Sequence, residues 1–171
     1  MKTILFFVVF VLLGGKAGAQ DIFAAARTGD VKRMEALFKI KADTINTKNE
    51  SGFTPLIIAC YRNQVGAAKF LLNHKADVNA TSPEGPVILG ACYKGNLELT
   101  TLLINYKADV NTKNEAGTTA LMYAALSGNV DLVKLLLKHG AKKNAEEKSG
   151  KTALSYAKMN GSKEVINLLS E

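Results

Sequence analysis

Four stretches of this 171-residue sequence resemble one another at a nearly constant spacing. A glycine and an asparagine recur in each stretch, and successive copies lie 33, 32 and 33 residues apart. The glycines are Gly52, Gly85, Gly117 and Gly150, and the asparagines are Asn46, Asn79, Asn111 and Asn144. A unit of this length cannot bury its apolar face alone. The copies must therefore stack on one another around a continuous core.

Each copy contains two apolar segments with a short break between them. In the copy that spans residues 114–146, the first predicted helix runs from Thr119 to Leu126, and Gly128 ends it. The second predicted helix, Asp131 to Lys138, has a broad apolar face. The polar stretch that follows has the composition of a tight hairpin. The sequence therefore predicts an all-α solenoid of stacked helix-turn-helix units with short β-hairpin fingers.

These features resemble the ankyrin repeat family. The matching motifs are Gly52-Phe53-Thr54-Pro55-Leu56, Ala76-Asp77-Val78-Asn79, Ala108-Asp109-Val110-Asn111, Gly117-Thr118-Thr119-Ala120-Leu121 and Gly150-Lys151-Thr152-Ala153-Leu154. The resemblance implies one repeat domain over residues 20–171. Its expected parts are an N-terminal capping repeat (20–48), three full repeats (49–81, 82–113 and 114–146) and a C-terminal capping repeat (147–171). It also implies a protein-binding module without catalytic activity.

Two departures from the family pattern affect local structure. The family has a histidine after Thr-Pro-Leu, so packing must replace the hydrogen bonds that this histidine provides between repeats. The residues at that position are Ile57, Leu89, Met122 and Ser155. The glycine that ends the second helix survives as Gly140, but Lys41, Lys75 and Lys107 replace it elsewhere. A left-handed backbone at a lysine costs roughly 1–2 kcal/mol, so we expect strain at these three corners.

The repeat at residues 82–113 is one residue shorter than the others. The missing residue falls between Gly85 and Pro86, and Pro83 lies close by. Proline restricts the backbone, so we expect an irregular and rigid finger in this repeat.

Residues 1–19 are typical of a secretory signal peptide. Lys2 gives a positive start, Ile4 to Leu13 is apolar, and Ala17-Gly18-Ala19 provides small residues for cleavage. The apolar run is shorter than the roughly 20 residues that a membrane span needs, although a retained anchor stays an alternative. We expect an exported protein, periplasmic or secreted from a bacterial cell, without a membrane span after cleavage.

The two cysteines, Cys60 and Cys92, occupy the same position in neighbouring repeats. Packed helices lie roughly 8–10 Å apart, whereas a disulfide needs Cα atoms within about 7 Å. We therefore expect two free, buried thiols.

No pattern of catalytic or metal-binding residues is present in the sequence. His74 and His139 recur with the repeat near the ends of second helices, where they suit the helix dipole. Asp77 and Asp109 also follow the repeat and are assigned to turn hydrogen bonds. We predict that the protein is not an enzyme and has no cofactor and no metal.

The surface carries the functional prediction. In an ankyrin-like stack, the first helices and the fingers line a concave groove, and tyrosine and arginine are enriched at interface hot spots. The predicted partner-binding residues are Phe53, Ile58, Tyr61, Arg62, Tyr93, Lys94, Tyr123, Leu126, Tyr156 and Met159. Phe53 is the expected exposed anchor on a finger. The tyrosines can also serve packing between repeats, and that interpretation stays open.

The predicted function is that of a monomeric, exported adaptor or inhibitor that binds another protein through this groove. A structural or protective partner of an envelope enzyme is an alternative. The net charge of +7 also raises polyanion binding. However, the lysines are spread over all repeats among glutamates, whereas nucleic-acid-binding proteins concentrate their charge on one face. We do not expect a nucleic-acid partner.

Overall fold

The computed structural model describes residues 22–170, and the predicted leader at residues 1–19 lies outside this range. Helices dominate the described chain. In order, they are α1 (residues 22–28), α2 (Val31–Ile40), a short 3₁₀ helix (Ala42–Asn46), α3 (Pro55–Tyr61), α4 (Val65–Asn73), α5 (Val87–Tyr93), α6 (Leu97–Asn105), α7 (Ala120–Leu126), α8 (Val130–Lys138), α9 (Ala153–Asn160) and α10 (Lys163–Ser170). Two short strands, β1 (Thr81–Ser82) and β2 (Gly85–Pro86), precede α5.

The helices form two layers. In the first layer α3, α5, α7 and α9 stack on one another in sequence order, and in the second layer α2, α4, α6, α8 and α10 do the same. Each first helix also packs on the second helix of its own repeat. The predicted all-α solenoid is therefore confirmed.

Small side chains hold the first layer together. The helices α3, α5 and α7 have seven residues each, and six, six and five of these are buried. Their central positions carry the pairs Ala59-Cys60, Ala91-Cys92 and Ala124-Ala125, all fully buried. Short side chains let neighbouring backbones approach closely. The second helices bury one face only, as Leu132, Val133 and Leu136 do in α8.

Both cysteines are free and buried, as the sequence predicts. Burial raises the pKa of the Cys60 thiol well above its usual range. Burial also raises the pKa of Cys92, to about 12, although a hydrogen bond with the Thr100 hydroxyl partly opposes the increase. Both groups are therefore protonated, unreactive core side chains at neutral pH.

Threonines cap the first helices α3, α7 and α9. The Thr119 hydroxyl accepts from the Met122 N–H, and the Met122 sulfur accepts from the Thr119 N–H at 3.4 Å. Thr152 and Ser155 exchange the same pair of bonds through their hydroxyl groups. Both pairs of bonds lie within one repeat and cap its first helix, so packing stays our prediction for what replaces the histidine between repeats. Ile57 is buried and has no polar group to offer.

Two of the three lysine corners are left-handed. Lys75 has a φ of 65° and Lys107 a φ of 70°, close to the 83° of Gly140. The prediction is wrong for Lys41, whose φ is −149°. The chain continues from Lys41 directly into the 3₁₀ helix, so the second helix of the first repeat ends without a left-handed residue.

The shortened finger differs from the others, but it is a regular hairpin and not the irregular one that we expected. Its strands β1 and β2 pair antiparallel around a two-residue turn, with Thr81 opposite Pro86 and Ser82 opposite Gly85. The other fingers close a wider loop, for example with a bond of 3.2 Å from the Asn114 N–H to the Thr118 carbonyl. Gly85 is buried with a φ of 116°, and a Cβ there would lie 2.8 Å from the Asn114 Cβ. The absence of a side chain therefore lets this finger approach the next.

A ladder of asparagines links successive repeats. In each link, the Oδ1 atom of one asparagine accepts a backbone N–H of the following repeat. The links join Asn46 to Asp77 (2.8 Å), Asn79 to Asp109 (3.0 Å) and Asn111 to Lys142 (2.9 Å). The carboxylates of Asp77 and Asp109 accept from the N–H groups of Asn79 and Asn111, which confirms their role in the turns. The turns of neighbouring repeats are therefore held in register.

Candidate functional site

Tyrosines line the exposed side of the first helices. Tyr61 and Tyr93 are the last residues of α3 and α5, and Tyr123 and Tyr156 lie one turn before the equivalent position in α7 and α9. The last residue of one first helix lies beside the residue that is one turn from the end of the next first helix. We call these four residues the tyrosine band.

Tyr61 fills a gap in the following repeat. A Cβ placed on Gly90 would lie 3.0 Å from both Cδ2 and Cε2 of Tyr61, so the ring lies directly against the glycine. On its other side, Tyr61 meets Phe53 edge to face, with ring centroids 6.4 Å apart. Burial, with smaller contributions from Glu84 and the neighbouring tyrosines, raises the pKa of Tyr61 to about 12. Tyr61 is therefore a packed, neutral side chain.

Tyr93 makes the corresponding contact in the next repeat but stays open to solvent. Its ring meets that of Tyr123 edge to face at a centroid distance of 5.6 Å. The Lys94 Nζ lies 5.3 Å from the centroid of the Tyr93 ring, close enough for a cation–π contact. Tyr93 nevertheless remains 60% exposed. Burial raises the pKa of Tyr123, and a hydrogen bond with Asn114 partly opposes that increase.

Polar contacts hold the last member of the band. The Glu147 carboxylate accepts from the hydroxyl groups of Ser149, Tyr156 and Thr118, and these bonds, with that of Ser149 the strongest, lower its pKa. The Lys151 Nζ lies 5.7 Å from the centroid of the Tyr156 ring. Tyr156 therefore connects α9 to the last finger.

The predicted binding residues differ in how much of each side chain is exposed to solvent. Tyr93, Leu126 at 42% and Met159 at 64% expose large apolar surfaces, and Arg62 and Lys94 are also exposed. Two predicted residues lie deeper than expected. Ile58 is only 7% exposed and belongs to the core. Phe53 is half-buried, because its finger folds back and brings the ring against Tyr61, so it is not an exposed anchor.

A shallow cavity lies at the N-terminal end of the tyrosine band, with a volume of about 220 Å³. Its lining residues are Arg27, Asn49, Ser51, Phe53, Ile58, Tyr61 and Arg62. The sequence prediction missed Arg27. The pair Ala25-Ala26 marks the same repeat position as Ala59-Cys60, so Arg27 corresponds to Tyr61 and this alignment was enough to find it.

The described residues form neither a metal centre nor a membrane-spanning helix. Between residues 22 and 170, no group of three or more His, Cys, Asp or Glu side chains is placed to hold a metal ion. None of the helices in that same range has the length and apolar character to cross a membrane. The His74 ring contacts Phe38 edge to face and Phe70 in a tilted arrangement, at centroid distances of 4.4 and 4.2 Å, and its Nδ1 lies 2.8 Å from the Phe70 carbonyl oxygen. Its role is therefore structural.

Comparison with known families agrees with this geometry. The family model described as "Ankyrin repeats (3 copies)" matches residues 7–82 and 88–171, which is most of the chain. The chain belongs to the ankyrin repeat family. Ankyrin repeats are protein-interaction modules and are typically non-catalytic, so the coarse function predicted from the sequence agrees with the family.

This ankyrin repeat protein is similar to short parts of several curated proteins. It is 46% identical over 65 residues to a protein named Palmitoyltransferase akr1 from Aspergillus oryzae, covering 38% of this chain and 9% of that protein. It is 38% identical over 56 residues to Ankyrin repeat domain-containing protein 49 from Drosophila melanogaster, covering 33% and 26%. It is 35% identical over 69 residues to an ankyrin repeat protein from Rickettsia felis, covering 40% and 23%. The chain therefore spans about a quarter or less of these relatives, and the similarity concerns the repeats alone.

Proposed function

We propose that this ankyrin repeat protein is an exported adaptor or inhibitor that binds another protein through the tyrosine band and the adjoining fingers. The observation that carries the proposal is Tyr93, which is exposed to 60% although Tyr123 and Lys94 contact its ring. An aromatic side chain that neighbours already hold in place loses little conformational entropy when a partner covers it. Tyrosines of this kind are frequent interface hot spots.

The exposed surface extends along the stack. Leu126 and Met159 occupy the same repeat position as Tyr93 in the two following repeats, and both are exposed. Single exposed apolar residues are common on proteins and need no explanation. Three of them at equivalent positions of consecutive repeats form a row, however, and a row fits an extended partner segment that runs along the first helices.

The electrostatic state of the band favours binding over chemistry. Burial raises the pKa values of Tyr61, Tyr123 and Tyr156, so all three phenols are neutral at physiological pH. A neutral phenol offers an apolar ring and a hydrogen-bond donor to a partner. It is a poor general base, because its deprotonated form is rare at that pH.

Two tyrosine-to-alanine variants, one in the band and one outside it, test the proposal. Tyr93→Ala removes the exposed ring from the first layer. Tyr106→Ala removes a partly exposed tyrosine from the same repeat at the end of α6, in the second layer. In affinity capture from the source cell's envelope fraction, the Tyr93→Ala protein should lose a partner that the wild type and the Tyr106→Ala protein retain. Cooperative thermal unfolding of both variants controls for folding. A partner equally retained by Tyr93→Ala and by Tyr93→Ala/Leu126→Ala contradicts the proposal.

The proposed export rests on the charge and apolar pattern of residues 1–19. The family match begins at residue 7, within this segment. The intact mass of the protein isolated from its cell distinguishes the alternatives. Cleavage after Ala19 gives an N-terminal Gln20 in the periplasmic or secreted fraction. An intact chain in the cytoplasm rules export out, but leaves the binding surface unaffected.

A further inference from the structure

We infer that the cavity at the N-terminal end of the tyrosine band binds an acidic side chain of the partner, Asp or Glu, together with an adjacent apolar side chain. The inference rests on the proposed function, because it identifies the chemistry of the segment that the band receives. It concerns the first two repeats only, and its components are two arginines and an apolar wall.

The arginines supply the charge. Arg27 and Arg62 both line the cavity and both are exposed. Among the ion pairs formed within residues 22–170, neither arginine takes part, and the cavity lining contains no acidic residue. A guanidinium group presents a planar pair of N–H donors that matches the two oxygens of a carboxylate. Two such groups line this one cavity and supply the donors that a carboxylate needs.

The apolar wall supplies the second half of the site. Phe53 and Tyr61 meet edge to face and Ile58 lies beside them, so one side of the cavity is a fixed apolar surface. A volume of about 220 Å³ has room for one or two side chains. The combination fits an acidic residue that has a leucine, valine or similar residue next to it.

The finger at this cavity does not favour a chain terminus as the ligand. Terminal carboxylates are commonly captured by clusters of free backbone N–H groups. Here the N–H groups of Ser51 and Phe53 donate to the Asn49 Oδ1 at 3.1 and 2.9 Å, and the Gly52 N–H donates to the Asn49 carbonyl at 2.9 Å. Three consecutive N–H groups of this turn are therefore already bonded within the finger. Recognition of an anion therefore depends on the arginine side chains, which reach an internal Asp or Glu equally well.

The test is a titration of the ¹⁵N-labelled protein, followed by NMR, with two capped peptides that differ in one residue. The first is acetyl-Ala-Leu-Glu-Leu-Ala-amide, and the second has glutamine in place of glutamate. We expect the glutamate peptide to bind about tenfold more tightly, since a charge-assisted hydrogen bond contributes more than a neutral one. The shifted signals should include the side-chain Nε–H groups of Arg27 and Arg62.

Matched variants locate the effect. Arg62→Gln should weaken the glutamate peptide about tenfold and leave the glutamine peptide unchanged. Lys69→Gln removes an equal charge from α4, in the second layer and outside both the cavity and the tyrosine band, so it should change neither peptide by more than about twofold. Arg62 and Lys69 are both exposed, and thermal unfolding checks that each variant folds as the wild type does.

Three results overturn the inference. They are absence of binding at millimolar peptide, equal binding of the two peptides, and an equal response to Arg62→Gln and Lys69→Gln. A glutamine peptide with a free C-terminal carboxylate that binds as tightly as the capped glutamate peptide also overturns it, because the ligand is then a chain terminus. If Tyr93→Ala still abolishes partner capture while the peptides fail, the binding function stands and only the acidic ligand is wrong.

Discussion

The Tyr61 ring lies against the backbone of Gly90, where a Cβ would come within 3.0 Å of two ring carbons. The contact joins α3 of one repeat to α5 of the next. Gly90 replaces the side chain that Ile58, Tyr123 and Tyr156 provide at the equivalent position. The repeat that contains Gly90 therefore has no side chain at this position, and Tyr61 of the preceding repeat occupies the space.

Gly90→Ala tests this contact. Alanine favours a helix by up to about 1 kcal/mol over glycine, but its Cβ pushes the ring outward. We expect these effects to offset each other, with a change in unfolding free energy within about 1 kcal/mol. The pKa of Tyr61 should fall from about 12 toward 10, as measured by phenolate absorbance. In Gly66→Ala, the Cβ would lie 3.6 Å from Val31, an ordinary contact. That variant should be more stable without altering the tyrosine titration.

The pH dependence of stability gives a second measure of Tyr61. Its pKa is higher in the folded protein than the usual value of 10, so folding favours the neutral phenol. This stabilisation is complete below about pH 10 and is lost as the pH rises toward 12. The Tyr61→Phe variant cannot ionise at this position. Its unfolding free energy should fall less steeply than that of the wild type over this range, and equal slopes would contradict the assignment.

The left-handed lysines are expected to limit stability. Lys75→Gly and Lys107→Gly each remove a steric cost of roughly 1–2 kcal/mol, while glycine adds roughly 0.4–1 kcal/mol of unfolded-state entropy. We expect each variant to gain about 0.5–1 kcal/mol in denaturant unfolding. Lys41→Gly is the control. Its φ of −149° needs no glycine, so it should lose stability. An equal gain in all three variants would show that the backbone geometry is not the cause.

The contribution of the asparagine ladder to stability can be measured against an equivalent asparagine elsewhere in the chain. Asn111 accepts from the Lys142 N–H and donates to the Gly140 carbonyl at 3.0 Å. Asn144 is the equivalent residue of the following repeat and is exposed. Asn111→Ala should therefore lower the unfolding free energy by about 1–2 kcal/mol, whereas Asn144→Ala should change it by less than about 0.5 kcal/mol. Equal losses would mean that the links between repeats do not contribute.

The cysteines of the native protein should react only slowly with thiol reagents. Cys60 and Cys92 are buried, and the pKa of Cys92 is raised to about 12. At pH 8 the native protein should react with Ellman's reagent far more slowly than the denatured protein, which should release two equivalents of chromophore for its two cysteines. Rapid reaction of the native protein at one cysteine would show that the repeat containing it opens locally.

The sequence predicted those features that repeat and missed those that depend on a single contact. The stacking of the repeats was predicted from the recurrence of Gly52 and its counterparts. A repeat period identifies this architecture even where individual residues depart from the pattern. The left-handed backbone at Lys75 follows in the same way. Lys41 departs from the pattern because the segment after it forms a 3₁₀ helix, which the neighbouring repeats lack.

The candidate site shows the same limit. The tyrosines were predicted as surface residues from the sequence, but the degree to which each is exposed was not. Phe53 is half-buried because its finger folds back onto Tyr61, and that is a tertiary contact between residues eight positions apart. The asparagine spacing was visible in the sequence, whereas the backbone N–H that each asparagine binds became apparent only from the folded turns.

The asparagine ladder has a consequence for how such a chain can change its length in evolution. Every link joins equivalent points of two adjacent repeats, and no link reaches beyond the next repeat. Duplicating residues 114–146 in place would leave each existing asparagine with a turn to bind and would add one further link of the same kind. Gene duplication can therefore extend the recognition surface by one helix pair at a time, without any compensating change elsewhere in the chain.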